Sequence, residues 1–362
     1  LHAAKHNATA ARADAAMPNP AQRTAQNGYA CASIRTETGM RAVALLILFG
    51  LLAACQNAPS RVAPTGDALA RLDTALAGDW DNHEQARRAS VEAHAGAAVA
   101  VPPVRETLHL ADRRRDGSLW FWRLETGDAK VRTHALWLVL ATAADNGTRV
   151  TLTPYRPLDP VVADEMFDGK RKFRFDAAQW AELAPCAQTG AWKDAQFQSQ
   201  ADAAACSALL PGLGVAAALL PLRLTVDGEM LTSSTFADQA RGADARVEAR
   251  RVRWFGGWAA INGGGPKARA GNQDWHMQKD LRLSSEGGRV ELRWRDGAAS
   301  GYSLELERTT YAERKLHVLQ LNVIDDASRQ VLDYVWADPT AGAIGFNLGW
   351  LQVGLAREAR QP

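Results

Sequence analysis

From about Val104 to the end of the chain, apolar and polar positions alternate with the period of two that marks half-buried strands. "LWFWRLE" (119–125), "HALWLVLATA" (134–143) and "RVTLTPY" (149–155) are aromatic or aliphatic runs broken by Asp-Gly, Thr-Gly-Asp and Asp-Asn-Gly. Those breaks are turn-forming residues, so the runs read as consecutive strands. "LRLTVDGEMLTSS" reads as a hairpin about Asp227-Gly228, since Asp-Gly suits a two-residue turn. "RVEARRVRWFGGW" reads as a further strand. Beyond it, Leu281/Leu283, Val290/Leu292/Trp294 and Tyr302/Leu304/Leu306 alternate across Gly-containing turns, and "LHVLQLNVIDDASRQVLDYVW" adds a pair about Asp325-Asp326. The tally is about a dozen short strands, which points to an antiparallel barrel or sandwich.

Helical spacing is confined to short stretches. "GDALARLDTALAG" sets Leu69, Leu72 and Leu76 on one stripe, with Asp67 as N-cap and Gly78 as the stop. Its apolar face is narrow, which suits a helix covering one end of something larger. "DAAQWAEL" (176–183) reads as a helical excursion capped by Asp176. The glycine-rich "NGGGPKARAGNQD" (262–274) is the best internal boundary. Residues 67–264 are expected to form a mostly β, antiparallel, lipocalin-like barrel with a few short helices. Residues 265–362 are expected to form a strand-rich extension or a small second sheet. The Gly256-Gly257 step is expected to mark a barrel corner.

The amino-terminal third breaks the pattern. Met40-Arg41 leads into an unbroken apolar run, Ala42 to Ala54, followed by Cys55. A bilayer-spanning helix needs roughly 20 residues, so the run is too short to span and suits the apolar region of a secretion signal. Leu52-Ala53-Ala54-Cys55 resembles the lipobox of bacterial lipoproteins, which implies lipid on Cys55 and cleavage just before it. Two acyl chains anchor a protein stably, whereas one does not. Gln56 follows the cysteine, which by the same resemblance places the protein at the outer membrane, facing the periplasm. On this reading residues 1–39 are a non-native or disordered upstream segment, 40–54 a signal peptide and 55–66 a polar tether.

Composition adds limits. Apolar residues make up 47% and charged residues 23%, near the globular average. The formal net charge of +2 and the lack of a basic run with interleaved aromatics give no reason to expect nucleic acid. Of the four cysteines, Cys31 precedes the signal and Cys55 is the lipid acceptor. Cys186 and Cys206 remain, twenty positions apart in an oxidising compartment, and are expected to be bonded. Neither has the electropositive neighbours that a reactive thiol needs.

Common catalytic patterns are missing. "HEQAR" (83–87) lacks the second histidine of a zinc-binding helix, and "INGGGPK" lacks the ending of a phosphate loop. There is no Gly-x-Ser-x-Gly elbow. No metal site, required cofactor or hydrolase triad is expected.

A looser constellation is informative. "LAGDWDNHEQ" (76–85) resembles the opening motif of the CpcT/CpeT family, the bilin (chromophore) lyases of phycobiliproteins. "LWFWRLETGDAKVRTHALWLV" (119–139) is similar to that family's strand pair, and "LAPCAQTGAWKDAQFQSQADAAACSAL" to its cysteine segment. "MLTSSTFADQARGADARVEARRVRWFGGWAAI" is similar to its closing strands, so the resemblance covers roughly residues 70–261. There are departures. Pro185 stands where the family has Gly, and Glu125-Thr126 and Val131-Arg132 stand where it has Glu-Gln and Tyr-Arg.

The resemblance implies binding of a linear tetrapyrrole and its delivery to a cysteine on an acceptor protein. A bilin needs aromatic faces, a cation for its propionates and an acid near its pyrrole nitrogens. Arg binds carboxylates bidentately, so Arg132 or Arg123 can anchor the propionates, and Glu125 is the candidate acid. Asp81 is a second acid. Trp120, Phe121, Trp122 and Trp137 offer stacking surface, and Asn82 and Gln85 belong to the opening motif. Plainer readings stand beside these. Asn82 with Gln85 is a capping-box spacing. Arg132 and Glu125 can pair across a hairpin. Clustered tryptophans are more often core. The alternative function is a non-catalytic envelope lipoprotein that binds a lipid or another amphipathic ligand, or a structural scaffold.

Overall fold

The period-two alternation becomes strands almost throughout. The computed structural model describes residues 68–94, 101–127, 132–212, 214–242, 245–269, 271–311 and 316–359. The expected signal, tether and lipidated Cys55 lie outside them, as does the Asp67 cap.

Eleven strands make the first sheet. They are β1 (Gly78–Asp81), β2 (Val104–Arg113), β3 (Ser118–Gly127), β4 (Arg132–Ala144), β5 (Arg149–Pro157), β6 (Trp180–Glu182), β7 (Gln188–Lys193), β8 (Gln196–Ala201), β9 (Pro221–Val226), β10 (Met230–Thr235) and β11 (Val247–Arg251). Neighbours run β4-β3-β2-β1-β11-β10-β9-β8-β7-β5, and β5 pairs back onto β4. Ten antiparallel strands thus close a barrel, which removes the sheet edges that such a chain would otherwise expose. β6 adds only a short pairing to the end of β5.

Five short helices accompany the strands among the described residues: α1 (Ala68–Leu76), α2 (His83–His94), α3 (Pro160–Phe167), α4 (Ala203–Ser207) and α5 (Phe236–Arg241). The stripe expected on α1 forms. Leu72 and Leu76 are buried in the barrel core beside Trp80, Trp120 and Trp137. Asp73 fixes the helix there: it accepts from the Trp120 indole N–H (3.1 Å) and the Ser118 hydroxyl (2.8 Å), and pairs with Arg113. Cys186 and Cys206 are bonded, with Cα atoms 4.6 Å apart. Closing a loop of that length stabilises by about 3 kcal/mol in the chain-entropy picture.

The helix expected over 176–183 does not form. Asp176 accepts from the Ala178 N–H as a local turn, not a helix cap. The chain then enters β6, because Trp180 is drawn into an apolar cluster on the barrel's outer face. The helix in this region is α3 instead. Asp159 caps it by accepting from the Val161 and Val162 N–H groups, and Pro160 opens it.

The remaining eight strands form two sheets. One runs β13 (Trp275–Ser284), β12 (Trp254–Asn262), β19 (Leu351–Arg357), β18 (Ala343–Asn347). The other runs β14 (Glu286–Arg293), β15 (Ala299–Tyr311), β16 (Leu316–Asp325), β17 (Val331–Ala337). Their facing side chains, Phe255, Leu283, Leu306, Leu321 and Leu355 among them, share one core, so the pair is a sandwich. The boundary expected at 264/265 falls in the β12–β13 connection. Pairing of β12 with β13 and β19 ends the barrel at β11. Gly257 accordingly lies inside a sandwich strand, where a Cβ would collide with the Gly354 carbonyl.

Short strands explain the low tally from sequence. β1, β6 and β18 hold three to five residues each, too few to show an alternation.

Candidate functional site

Strand β3 divides the expected site residues between its two faces. Trp120, Trp122 and Leu124 point into the barrel, and Trp137 of β4 lies opposite Trp122 in register. All four are buried in the core. Phe121 points outward into a second apolar cluster, with Leu138, Met166 and Trp180. Arg123 and Glu125 share Phe121's parity.

The inward face carries an acid that the sequence reading passed over. Glu106 of β2 is fully buried. It accepts from the Trp122 indole N–H at 2.8 Å and the Ser233 hydroxyl at 2.6 Å. Burial raises its pKa to about 7 and the Asp238 carboxylate adds to the rise, while the two hydrogen bonds oppose it. The signal was available: Val104, Glu106 and Leu108 have one parity in "VRETLHL", so the acid is in phase with the apolar face. Beside this centre, the Trp137 indole N–H is buried with no partner.

On the outward face, Arg123 pairs with Glu125 at 3.0 Å and with Asp168 at 3.4 Å, and lies over the Phe167 ring. His134 meets Asp164 of α3 at 3.1 Å. Phe121 packs edge-on against Phe167 and Phe173, and His109 stacks on Phe167 with its pKa lowered by burial. Between α3 and the stretch of chain that enters β6 lies a hollow of about 250 Å³. Leu158, Val162, Met166 and Trp180 give it apolar walls, and Arg171 stands in its lining. The Trp180 indole N–H is buried with no hydrogen-bond partner. Arg171 is half exposed and pairs with Glu165 at 3.1 Å. The sequence reading missed this hollow, although Asp159-Pro160 before an apolar run is a helix-start signal.

The opening-motif residues are tied into the frame. Asn82 accepts from the Val104 N–H and donates to the Pro102 carbonyl and to Gln85. Gln85 donates to the Arg246 carbonyl and accepts from the Glu248 N–H. Together they staple the start of α2 to β2 and β11. Asp81 pairs with Arg105 and accepts from the His83 N–H; burial nonetheless raises its pKa. The Arg132 backbone opens β4 opposite Gly127; its side chain lies outside the described residues. The structure therefore brings Trp120, Trp122 and Trp137 together inside, and Phe121, Arg123 and Glu125 together outside. No one place holds both the stacking tryptophans and the ionic pair.

Among the described residues no group of three or more His, Cys, Asp or Glu is arranged to hold a metal ion. No helix among them is long and apolar enough to cross a membrane. No family model matches the sequence, and no curated protein matches it either.

Proposed function

We propose that this barrel protein binds a small amphipathic acid, without chemistry, in the hollow between α3 and β6. The hollow's apolar lining, with a cation in it, carries this reading. Each methylene of a ligand buried there contributes about 0.8 kcal/mol. A ligand carboxylate can take bidentate hydrogen bonds from Arg171, displacing Glu165. Volume decides the ligand class. Sites for drug-sized molecules run from about 300 to 1,000 Å³, and about 250 Å³ falls below that. A short acyl chain fits this space and a linear tetrapyrrole does not.

Calorimetric titration of the purified protein with octanoate and decanoate tests the reading. Saturable binding of one equivalent is expected, lost in Val162→Trp, which fills the hollow from α3 at a partly exposed lining position. Binding unchanged in that variant would place the ligand elsewhere.

A second reading keeps the lyase-like chemistry. It is favoured by the placement of Arg123, Glu125 and Arg132 on one β3–β4 hairpin, with Glu125 as acid and Arg132 as propionate anchor. Biliverdin or phycocyanobilin mixed with the protein should then give a red-shifted, sharpened visible band that Arg132→Ala abolishes. Transfer to an acceptor cysteine is the further requirement for a lyase.

In both readings lipid on Cys55 holds the protein on an envelope membrane facing the periplasm. Metabolic labelling with palmitate checks this. Label should appear on the wild type and vanish in Cys55→Ala; label retained in that variant excludes the anchor.

A further inference from the structure

The outer face of β9, β10 and β11 carries a second hollow, of about 330 Å³, lined by Arg223, Thr225, Thr232, Ser234, Arg246 and Glu248. Its chemistry is unlike that of the apolar hollow at α3. Register sets the side chains in two rows. Arg223 lies opposite Ser234, and Thr225 opposite Thr232, which in turn lies opposite Glu248. Neighbouring strands stand about 4.8 Å apart, so side chains of three adjacent strands can reach one small group.

Three donors there are unengaged. Among the described residues, the Arg223 guanidinium and the Thr225 and Thr232 hydroxyls have no hydrogen-bond or ion-pair partner. Ser234 is committed, donating to the Ala245 carbonyl at 3.2 Å. Arg246 pairs through Nε with Glu248 at 3.0 Å, which leaves the terminal nitrogens of its fork available. Two guanidinium groups therefore stand against one carboxylate, and the hollow is cationic overall.

We propose that this hollow binds a phosphate-type oxyanion. Arg223 and Arg246 would supply paired N–H donors, and Thr225 and Thr232 would supply hydroxyl donors. Arginine forks match the oxygen spacing of phosphate, and hydrogen bonds to a charged group are about twice as strong as neutral ones. Glu248 is the opposing element: its carboxylate repels an anion and occupies part of Arg246.

Two sources can present the same group, a free phosphate and a phospholipid headgroup. Inorganic phosphate is titrated by calorimetry against sodium chloride of equal ionic strength. Co-sedimentation compares phosphatidylglycerol vesicles with phosphatidylcholine vesicles. Saturable binding of phosphate identifies a free-anion site; binding confined to phosphatidylglycerol vesicles identifies a headgroup site. In either arm Arg223→Gln should weaken binding about tenfold or more, the loss of one charge-assisted contact. Arg223→Lys should restore part of it, and Glu248→Gln should tighten it. Arg223 is exposed, so its replacement leaves the barrel core intact, and the Glu248→Gln gain cannot come from misfolding. Binding no stronger than the chloride control in both arms, or unaltered in Arg223→Gln, overturns the proposal.

Discussion

Replacing Glu106 with glutamine should abolish a pH-dependent loss of stability of about 3 kcal/mol. The carboxyl has a folded-state pKa of about 7, against 4.5 as its ordinary value. Below 4.5 the group is protonated in both states and costs nothing. As pH rises, the unfolded chain releases its proton while the native barrel keeps it, so the native state loses ground. The loss is complete once pH passes about 7, where the buried group ionises. A glutamine keeps both hydrogen bonds, accepting from the Trp122 indole and turning its amide toward Ser233. Urea unfolding at about pH 4.5 and about pH 8 measures the effect. Glu286, Asp81 and Glu305 also have raised pKa values, so the wild-type slope alone is mixed. The difference between wild type and Glu106→Gln isolates this group. Equal slopes would mean that the barrel interior does not hold a neutral acid.

Arg308→Ala should cost about 3–5 kcal/mol, the range for leaving one partner of a buried ion pair alone. Arg308 projects from β15 of the sandwich toward the barrel. Its Nε bonds Glu286, and its terminal nitrogen donates to the Arg251 carbonyl at 2.6 Å. Arg250 of β11 returns the contact, donating to the Arg308 carbonyl at 3.1 Å. Burial raises the Glu286 pKa and Arg308 opposes the rise. Without the guanidinium, the buried Glu286 carboxylate loses its hydrogen-bonded cation and keeps only the charge of Arg250, and barrel and sandwich lose one of their ties. Arg308→Met with Glu286→Gln removes both charges and should recover most of the loss. A single-variant cost under about 0.5 kcal/mol, typical of a surface site, would contradict the assignment.

How far the sequence reached depended on how local each signal was. Alternation in "LWFWRLE" and "HALWLVLATA" was enough for β3 and β4, and their pairing follows from a short hairpin. The disulfide was legible because Cys186 and Cys206 were the two cysteines to which the expected signal and lipid anchor gave no other place. Closure of the barrel was legible only as a class, since the β1–β11 pairing joins strands far apart in the chain and no local signal marks it. Trp180 shows the limit most clearly: helical spacing over 176–183 lost to the burial of a single indole. Strand parity puts Trp120 and Phe121 on opposite faces, but parity does not say which face is interior. That assignment separates the tryptophans from Arg123 and Glu125 and moves the candidate ligand site outside the barrel. Glu106 was readable by parity, since it shares the phase of Val104 and Leu108, but a lone acid on an apolar face carries no motif.

Ligand that enters the hollow at α3, and not the barrel interior, must contact Trp180 and leave the inner tryptophans untouched. Proton–nitrogen correlation spectra during a decanoate titration test this most directly, with the Trp180 indole signal assigned from Trp180→Phe. A saturable shift of the Trp180 indole resonance is expected, with the Trp80, Trp120, Trp122 and Trp137 indoles unmoved. Shifts of those interior indoles while Trp180 stays fixed would contradict it.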